Sequence, residues 1–333
     1  MSQRSSPTLD DVARAAGVSR ATASRVINGA VPVSRSATEA VQQAVARLGY
    51  RPNTAARTLV TRRVGAVVVL VPETEERVFS DPFFPRAYHG ALEAFRHTGI
   101  HVLLSMAHPQ DGVDPMLAFF LSDHTDGAIV ISHHGPEFAQ AIATASRPVV
   151  FVGNPRVPGL AYVDVDQVKA AAAATRHLID RGARTIGTVS GPMDMSASVE
   201  RLRGFQHQLA DAGLSGHLIA EGDFTFAGGE RATQDLLGHH PEIDALFVAS
   251  DLMASGAIAA AERLGRRVPD DLLVVGFDDS VVATQSRPTL TTMENRPDVL
   301  ARTAAEMLLE KLNGREPEWP VILPSRLVRR ESA

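Results

Sequence analysis

The chain has 333 residues, 44% of them hydrophobic and 21% charged, which is ample for a buried core and points to two or three domains rather than one. It contains no cysteine, so disulfides, a thiolate nucleophile and cysteine-ligated zinc are excluded. Its net charge of −5 conceals a division: residues 1–63 hold ten arginines against three acids, a net of +7, while residues 64–333 hold 23 basic and 35 acidic side chains, a net of −12. A small basic head on an acidic body suits an anion-binding module, with DNA the obvious polyanion, joined to a part that need not touch it. The opening MSQRSSPTLDD has no apolar leader core, and apolar runs such as 66–72 are far too short to span a bilayer, so a cytoplasmic protein is expected.

In chain order, Thr8-Leu-Asp-Asp11 reads as a capping box opening a short helix with Val12, Ala13 and Ala16 on its apolar side, and Gly17 ends it. Ser19 caps a second helix two residues later; Ala23, Val26 and Ile27 form its buried side, and no acid occurs from Ser19 to Asn28. Helix, glycine turn, helix is the outline of a helix-turn-helix, and the exposed hydroxyl, amide and guanidinium groups of the second helix are of the type that read base edges or hold phosphates. Ser36-x-x-Glu39 predicts the cap of a third helix carrying Val41, Val45 and Leu48 and stopped by Gly49. Residues 50–59 are too polar and too short for a stable free helix, and read as a linker that becomes helical when held.

The stretch TLDDVARAAGVSRATASRVINGAVPVSRSATEAVQQAVARLGYRPNTAARTL resembles the DNA-binding headpiece of the lactose-repressor/galactose-repressor family nearly residue for residue. The resemblance implies that Arg20 and Ala21 occupy the two base-reading positions: Arg20 suits a bidentate pair with guanine, and Ala21 an apolar contact with a thymine methyl. It implies further DNA contacts from Thr8, Ser19, Thr22, Ser24, Arg25, Asn28 and Tyr50. It also places a hinge helix over the linker, where Leu59 would wedge into a minor-groove step with Asn53, Ala56 and Arg57 along the groove.

From residue 64 onward, short apolar strands alternate with helical patterns, a βα rhythm that implies parallel sheets covered by helices on both faces. Predicted strands are VGAVVVLV, IHVLL, DGAIVI, PVVFV, RTIGTV, DALFVA and LLVVGF, with helices over 85–97, 167–181, 199–212, 253–264 and 298–313. Periodicity alone leaves open one large sheet or two smaller ones.

The segments YVDVDQVKAAAAATRHLIDRGARTIGTVSGP, SVERLRGFQHQLADAGL, ALFVASDLMASGAIAAAERLGRRVPDDLLVVGFDDS and RPTLTTMENRP resemble the effector domain of the same family. This implies a periplasmic-binding-protein-like α/β domain of type I, made of two doubly wound subdomains joined by three crossovers, with a sugar or purine between them. The expected division is a headpiece over 1–52, a hinge over 53–63 and an effector domain over 64–333. Within that domain, one subdomain would take 64–163 and 293–322, and the other 164–292 and 323–333.

By the same likeness Asp278 and Arg201 match the family's ligand-binding Asp and Arg, Phe224 an aromatic stacking on the ligand, and Ser250 and Asn295 polar pocket positions. Asp81 and Phe83 fall in the loop after the first strand, and Asn154 after PVVFV. The chain departs from the pattern at Gly153, where a carboxylate is frequent; its loss leaves room for a larger ligand such as a disaccharide.

Enzyme motifs are scarce. There is no G-x-S-x-G elbow and no H-E-x-x-H, neither Lys169 nor Lys311 follows a glycine as a phosphate loop requires, and the pairs His133-His134 and His239-His240 read as loop residues rather than metal ligands. An extracytoplasmic solute-binding protein would share the body's fold but should lack the arginine-rich head. The reading is therefore a regulator, without enzymatic activity or cofactor, that binds an inverted-repeat operator and a sugar effector. A purine- or other metabolite-corepressed regulator of the same architecture is the alternative. The end LVRRESA carries no heptad tail, so a homodimer is expected rather than a zippered tetramer.

Overall fold

The computed structural model describes residues 7–28, 33–50, 63–107, 112–122 and 124–333, and divides into two compact units, Met1–Val64 and Gly65–Ala333.

The described residues of the first unit form three helices: α1 (Leu9–Ala16), α2 (Arg20–Asn28) and α3 (Arg35–Leu48). The capping box forms as expected: Asp11 N donates to Thr8 Oγ1 at 3.3 Å, and Thr8 N donates to Asp11 Oδ2 at 3.0 Å. Gly17 and Gly49 then terminate α1 and α3 in the left-handed region, at φ of +65° and +62°. The third helix departs from expectation, because its cap is Ser34, whose Oγ accepts from Ala37 N at 3.4 Å, and not Ser36. A helix that starts two residues earlier takes up Ser36 as an ordinary first-turn residue, and its Oγ lies 3.4 Å from that of Ser34. Val12, Ala13, Ala23, Val41 and Ala44 form the small core on which the helices meet.

The second unit has two six-stranded sheets. The first contains β1 (Ala66–Thr74), β2 (His101–Ala107), β3 (Gly127–Ile131), β4 (Val149–Val152), β5 (Ala161–Val165) and β11 (Val321–Leu323), in the order β11-β5-β4-β3-β1-β2. The second contains β6 (Ile186–Ser190), β7 (Ile219–Glu221), β8 (Ala245–Val248), β9 (Leu273–Asp278), β10 (Thr291–Glu294) and β12 (Leu327–Val328), in the order β12-β10-β9-β8-β6-β7. Every pairing is parallel except that of β10 with β12. In β1, Val67, Val68, Val69, Leu70 and Val71 are all buried, the near-continuous apolar run of a strand covered on both faces. Burial of each such side chain contributes roughly 1.5–3 kcal/mol.

The described helices of this unit are α4 (Glu75–Ser80), α5 (Phe83–Phe95), α6 (Asp114–Leu121), α7 (Gly135–Ala143), α8 (Gln167–Asp180), α9 (Ser196–Asp211), α10 (Phe226–His239), α11 (Asp251–Arg263), α12 (Val281–Gln285) and α13 (Pro297–Leu312). The chain crosses between the sheets three times: from β5 through α8 to β6, from β10 through α13 to β11, and from β11 to β12. This is the pair of doubly wound sheets that the resemblance implied.

Sequence periodicity overlooked α10, since Gly228-Gly229 interrupts its pattern. Those glycines belong in the helix because α11 crosses it closely: a side chain at Gly229 would lie 2.3 Å from the Met253 carbonyl, and one at Gly256 2.1 Å from that of Phe226. Among the described residues no helix is long and apolar enough to cross a membrane.

Candidate functional site

In the head, α2 presents Arg20, Ala21 and Arg25 to solvent, while Ser24 is half-buried. Ser19 caps the helix, its Oγ accepting from Thr22 N at 3.1 Å and lying 2.9 Å from Thr22 Oγ1. These two hydroxyls hold the first turn and each other, whereas among the described residues the Arg20 guanidinium has only a loose neighbour, with Nε 3.5 Å from Asp10 Oδ1 across two exposed side chains. Thr8 is similarly engaged in its capping box, and Tyr50 packs half-buried against the head's core. The side chain of Asn28 lies outside the described residues, as do Asn53, Ala56, Arg57 and Leu59. The described face is therefore two exposed guanidinium groups around a methyl, on a helix without an acid.

In the body, a cavity of about 700 Å³, mouth included, opens where the carboxyl ends of strands from the two sheets face one another. Seven of the eight sequence-nominated residues line it: Asp81, Phe83, Arg201, Phe224, Ser250, Asp278 and Asn295. Asn154 does not. Its Oδ1 accepts from Arg156 N at 2.9 Å and its Nδ2 approaches Glu200 Oε1 at 3.5 Å, leaving the neighbouring Gly153 on the wall. A side chain at Gly153 would meet nothing within 4 Å, although its φ of +94° favours glycine.

Asp278 ends β9 at φ +118°, and is held there by Asn295, whose Nδ2 donates to Asp278 Oδ1 at 3.0 Å. The opposite lone pair of that arrangement is unspent: Asn295 Oδ1 is buried without a partner. Behind this turn, Asp251 Oδ1 accepts from Thr292 Oγ1 at 2.5 Å and its Oδ2 from Ser280 N at 2.7 Å, bracing the segment that carries Asp278. Burial pushes the pKa of both Asp251 and Asp278 up, and Asp278 raises Asp251 further.

Arg201 is buried on α9, its Nε donating to Gln167 Oε1 at 2.8 Å and its Nη1 to the Ala249 carbonyl at 2.5 Å. Its guanidinium lies 3.6 Å from the centre of the Phe277 ring. Gln167 in turn donates to Asp164 Oδ1 at 2.7 Å, so α8 links a buried acid to a buried base through one amide. Burial lowers the Arg201 pKa, and Asp278 opposes that shift. It lifts Asp164 to about 6, and, with Asp278 adding to it, Asp81 also to about 6.

Phe224 sits at φ +61° against Gly191, where any side chain would come within 2.1 Å of its ring. Arg77, which sequence reasoning missed, lies 5.3 Å over Phe224 and 5.8 Å over Phe84, with its Nε buried and unpartnered. His133, also missed, stacks edge-on with Phe151 at 5.3 Å, and burial pushes its pKa down to about 4. Arg77 follows a strand in a polar stretch that looks like any surface turn, so only the resemblance could have drawn attention to it.

The cavity thus combines aromatic faces with converging acceptors and donors, and sets three wall carboxylates against two guanidinium groups. An anion would meet the carboxylates and a cation the guanidiniums, whereas a neutral polyol finds directional partners on every side. Among the described residues no cluster of His, Asp or Glu is arranged to hold a metal ion.

Residues 8–53 match the model of bacterial regulatory proteins of the lacI family, and residues 175–333 that of the periplasmic binding protein-like domain. The chain is 39% identical to the HTH-type transcriptional regulator CelR of Thermobifida fusca over 340 residues, covering 100% of each. Among solved structures, it is similar to the transcriptional regulator CelR-cellobiose complex, with a TM-score of 0.76, 36% identity and coverage of 98% of this chain and 100% of that one. It is likewise similar to the lac repressor dimer bound to operator and the anti-inducer ONPF, with a TM-score of 0.86, 27% identity and coverage of 98% of both chains.

Proposed function

Because the chain belongs to the lacI family of bacterial regulatory proteins, it is a DNA-binding transcriptional regulator, and we propose that a neutral sugar in the body's cavity sets its affinity for operator DNA. The assembly is a cytoplasmic homodimer without enzymatic activity, a repressor of carbohydrate-utilisation genes whose two heads read an inverted repeat. Arg20 and Arg25 supply the head's charged contacts and Ala21 an apolar one; residues 53–63 form the hinge between head and body.

The observation that carries the effector reading is the convergence of Asp278, Arg201, Asn295 and Phe224 on one cavity, with an unpartnered amide oxygen on Asn295 and an unpartnered Nε on Arg77. Sugar hydroxyls donate to the first and accept from the second. The open space at Gly153 favours two sugar rings over one, and the relative crystallised with cellobiose makes a β-linked disaccharide the first candidate.

Binding acts by population shift. A ligand that prefers the closed arrangement of the two sheets stabilises it in proportion to that preference, and the closed body no longer supports the pairing of hinges that specific DNA binding needs. The test is fluorescence anisotropy on a palindromic operator candidate from the protein's own upstream region, with cellobiose, lactose and glucose added in turn. Loss of specific binding with cellobiose supports the reading; retention of binding with every sugar, alongside no calorimetric signal, refutes it.

A further inference from the structure

The rim of the cavity carries a chain of polar groups that sugar recognition leaves unexplained. Glu73, near the end of β1, is buried, and its Oε1 takes three partners: Arg77 Nη1 at 2.7 Å, Ser132 Oγ at 2.8 Å and His134 Nε2 at 3.1 Å. The other ring nitrogen, His134 Nδ1, lies 2.9 Å from Asp194 Oδ2, and the next amide, Gly135 N, donates to the Asp194 carbonyl at 3.0 Å.

Glu73, Arg77, Ser132 and His134 all belong to the half built on the first sheet, whereas Asp194 sits between β6 and α9 of the second. Arg77 also reaches the second half, through the Phe224 ring. One carboxylate therefore anchors two side chains that cross the cleft, Arg77 and His134. A neutral imidazole has a single N–H and turns a lone pair toward one of its two carboxylates; only the imidazolium donates to both.

We propose that His134 is a proton-operated clasp: as the imidazolium it ties Glu73 to Asp194 and favours the closed cleft, so closure and effector affinity rise as the pH falls from 8 to 6.5. The proposal rests on the cavity being an effector site that closes on its ligand. Consistently, the Glu73 hydrogen bond raises the His134 pKa above the ordinary range, burial opposes it and Asp194 adds to it. Opening the cleft removes Asp194 but not Glu73, so the closed form holds the proton more tightly. Its advantage is full below the open-state pKa and is lost as the pH rises through the closed-state pKa.

The other charged or titratable groups that face the ring are Arg77, paired with Glu73, Glu137 on the first turn of α7, and His133, whose pKa burial pushes down to about 4. Asp81 and Asp164, raised by burial to about 6, and Asp251 and Asp278, also raised by burial, act alike with or without the ring, so a His134→Gln comparison removes their contribution.

The chain contains no cysteine, so Gln140→Cys and Gln234→Cys, on exposed positions of α7 and α10, give two clean sites for spin labels. In the ligand-free protein, the interlabel distance distribution should move toward shorter values between pH 8 and 6.5, and should not move in His134→Gln. With cellobiose as the probe, binding should tighten about threefold over the same interval, the scale of one partly exposed ion pair, and both His134→Gln and Asp194→Asn should abolish the difference. A distribution that stays put, or that moves equally in His134→Gln, overturns the clasp. A pH-dependent shift in a protein that does not bind cellobiose supports the clasp and refutes the disaccharide reading instead.

Discussion

The head and the body treat charge in opposite ways. On α2, Arg20 and Arg25 stand in solvent, and the strongest local partner either has is Asp10 at 3.5 Å from Arg20. In the body, Arg201 is 5% exposed and already bonded to Gln167 and Ala249, and Asp164 is 4% exposed and bonded to its own turn. A surface meant for a polyanion keeps its cations hydrated until counterions are exchanged for phosphates. A pocket meant for an uncharged ligand must settle its charges beforehand, because an unpaired buried ion would cost more than any hydroxyl could return.

Four measurements test this contrast. Asp278→Ala should reduce effector affinity on the order of 100-fold, since it strands Asn295 and Arg201 in a buried site, while operator binding in the absence of effector stays at the parental level; titration calorimetry and anisotropy read the two separately. Arg20→Ala should do the reverse, weakening specific operator binding by about tenfold to a hundredfold with non-specific affinity and effector binding spared. Unequal losses of this kind are what separate sites predict; a comparable loss of both activities in either variant would contradict the division.

The third is pH. Asp251, raised to about 8, Asp81 and Asp164, raised to about 6, and Asp278, also raised, take up protons in the folded body before they do in the unfolded chain, so stability is gained as the pH falls from about 8 through about 6 and lost as it rises again. The only shifted acid described in the head, Asp11, is lowered by Thr8, and its contribution is present above the unfolded value of 3.8 and disappears only in stronger acid. Urea unfolding followed through Trp319, the single tryptophan, should therefore show a midpoint that moves with pH for the body. Circular dichroism of an isolated head should show none over that range. Smallest is Asp10→Ala: releasing Arg20 from an exposed pair should tighten operator binding by about twofold, mainly at low salt.

How much of this was legible in the sequence follows the same division. The head's helices, its Gly17 and Gly49 stops and its capping box are local signals, carried by residues three or four apart, and only the Ser34 cap was misplaced by two positions. In the body, the long buried strands were visible as apolar runs, but β7 has three residues and β12 two, too few for any alternation to register. The cavity residues at strand ends were reached through family likeness. Arg77, His133 and Asp164 were not, because their roles arise from contacts with elements far away along the chain: Phe224 for Arg77, Phe151 for His133, Gln167 and Arg201 for the acid. Asn154, one residue from the wall, shows the cost of reading a loop without its geometry.

The three crossings also set an order of assembly on the ribosome. The head's described helices end at Leu48, so they are complete while most of the chain is still unmade. Neither sheet of the sensor can close so early: the first waits for β11 at Val321–Leu323, and the second for β12 at Leu327–Val328. A premature stop anywhere in that long interval would yield a protein with a folded head and no working sensor. Such a fragment cannot answer to the effector, and nonsense alleles late in the coding sequence should behave as a class apart from missense changes in the pocket.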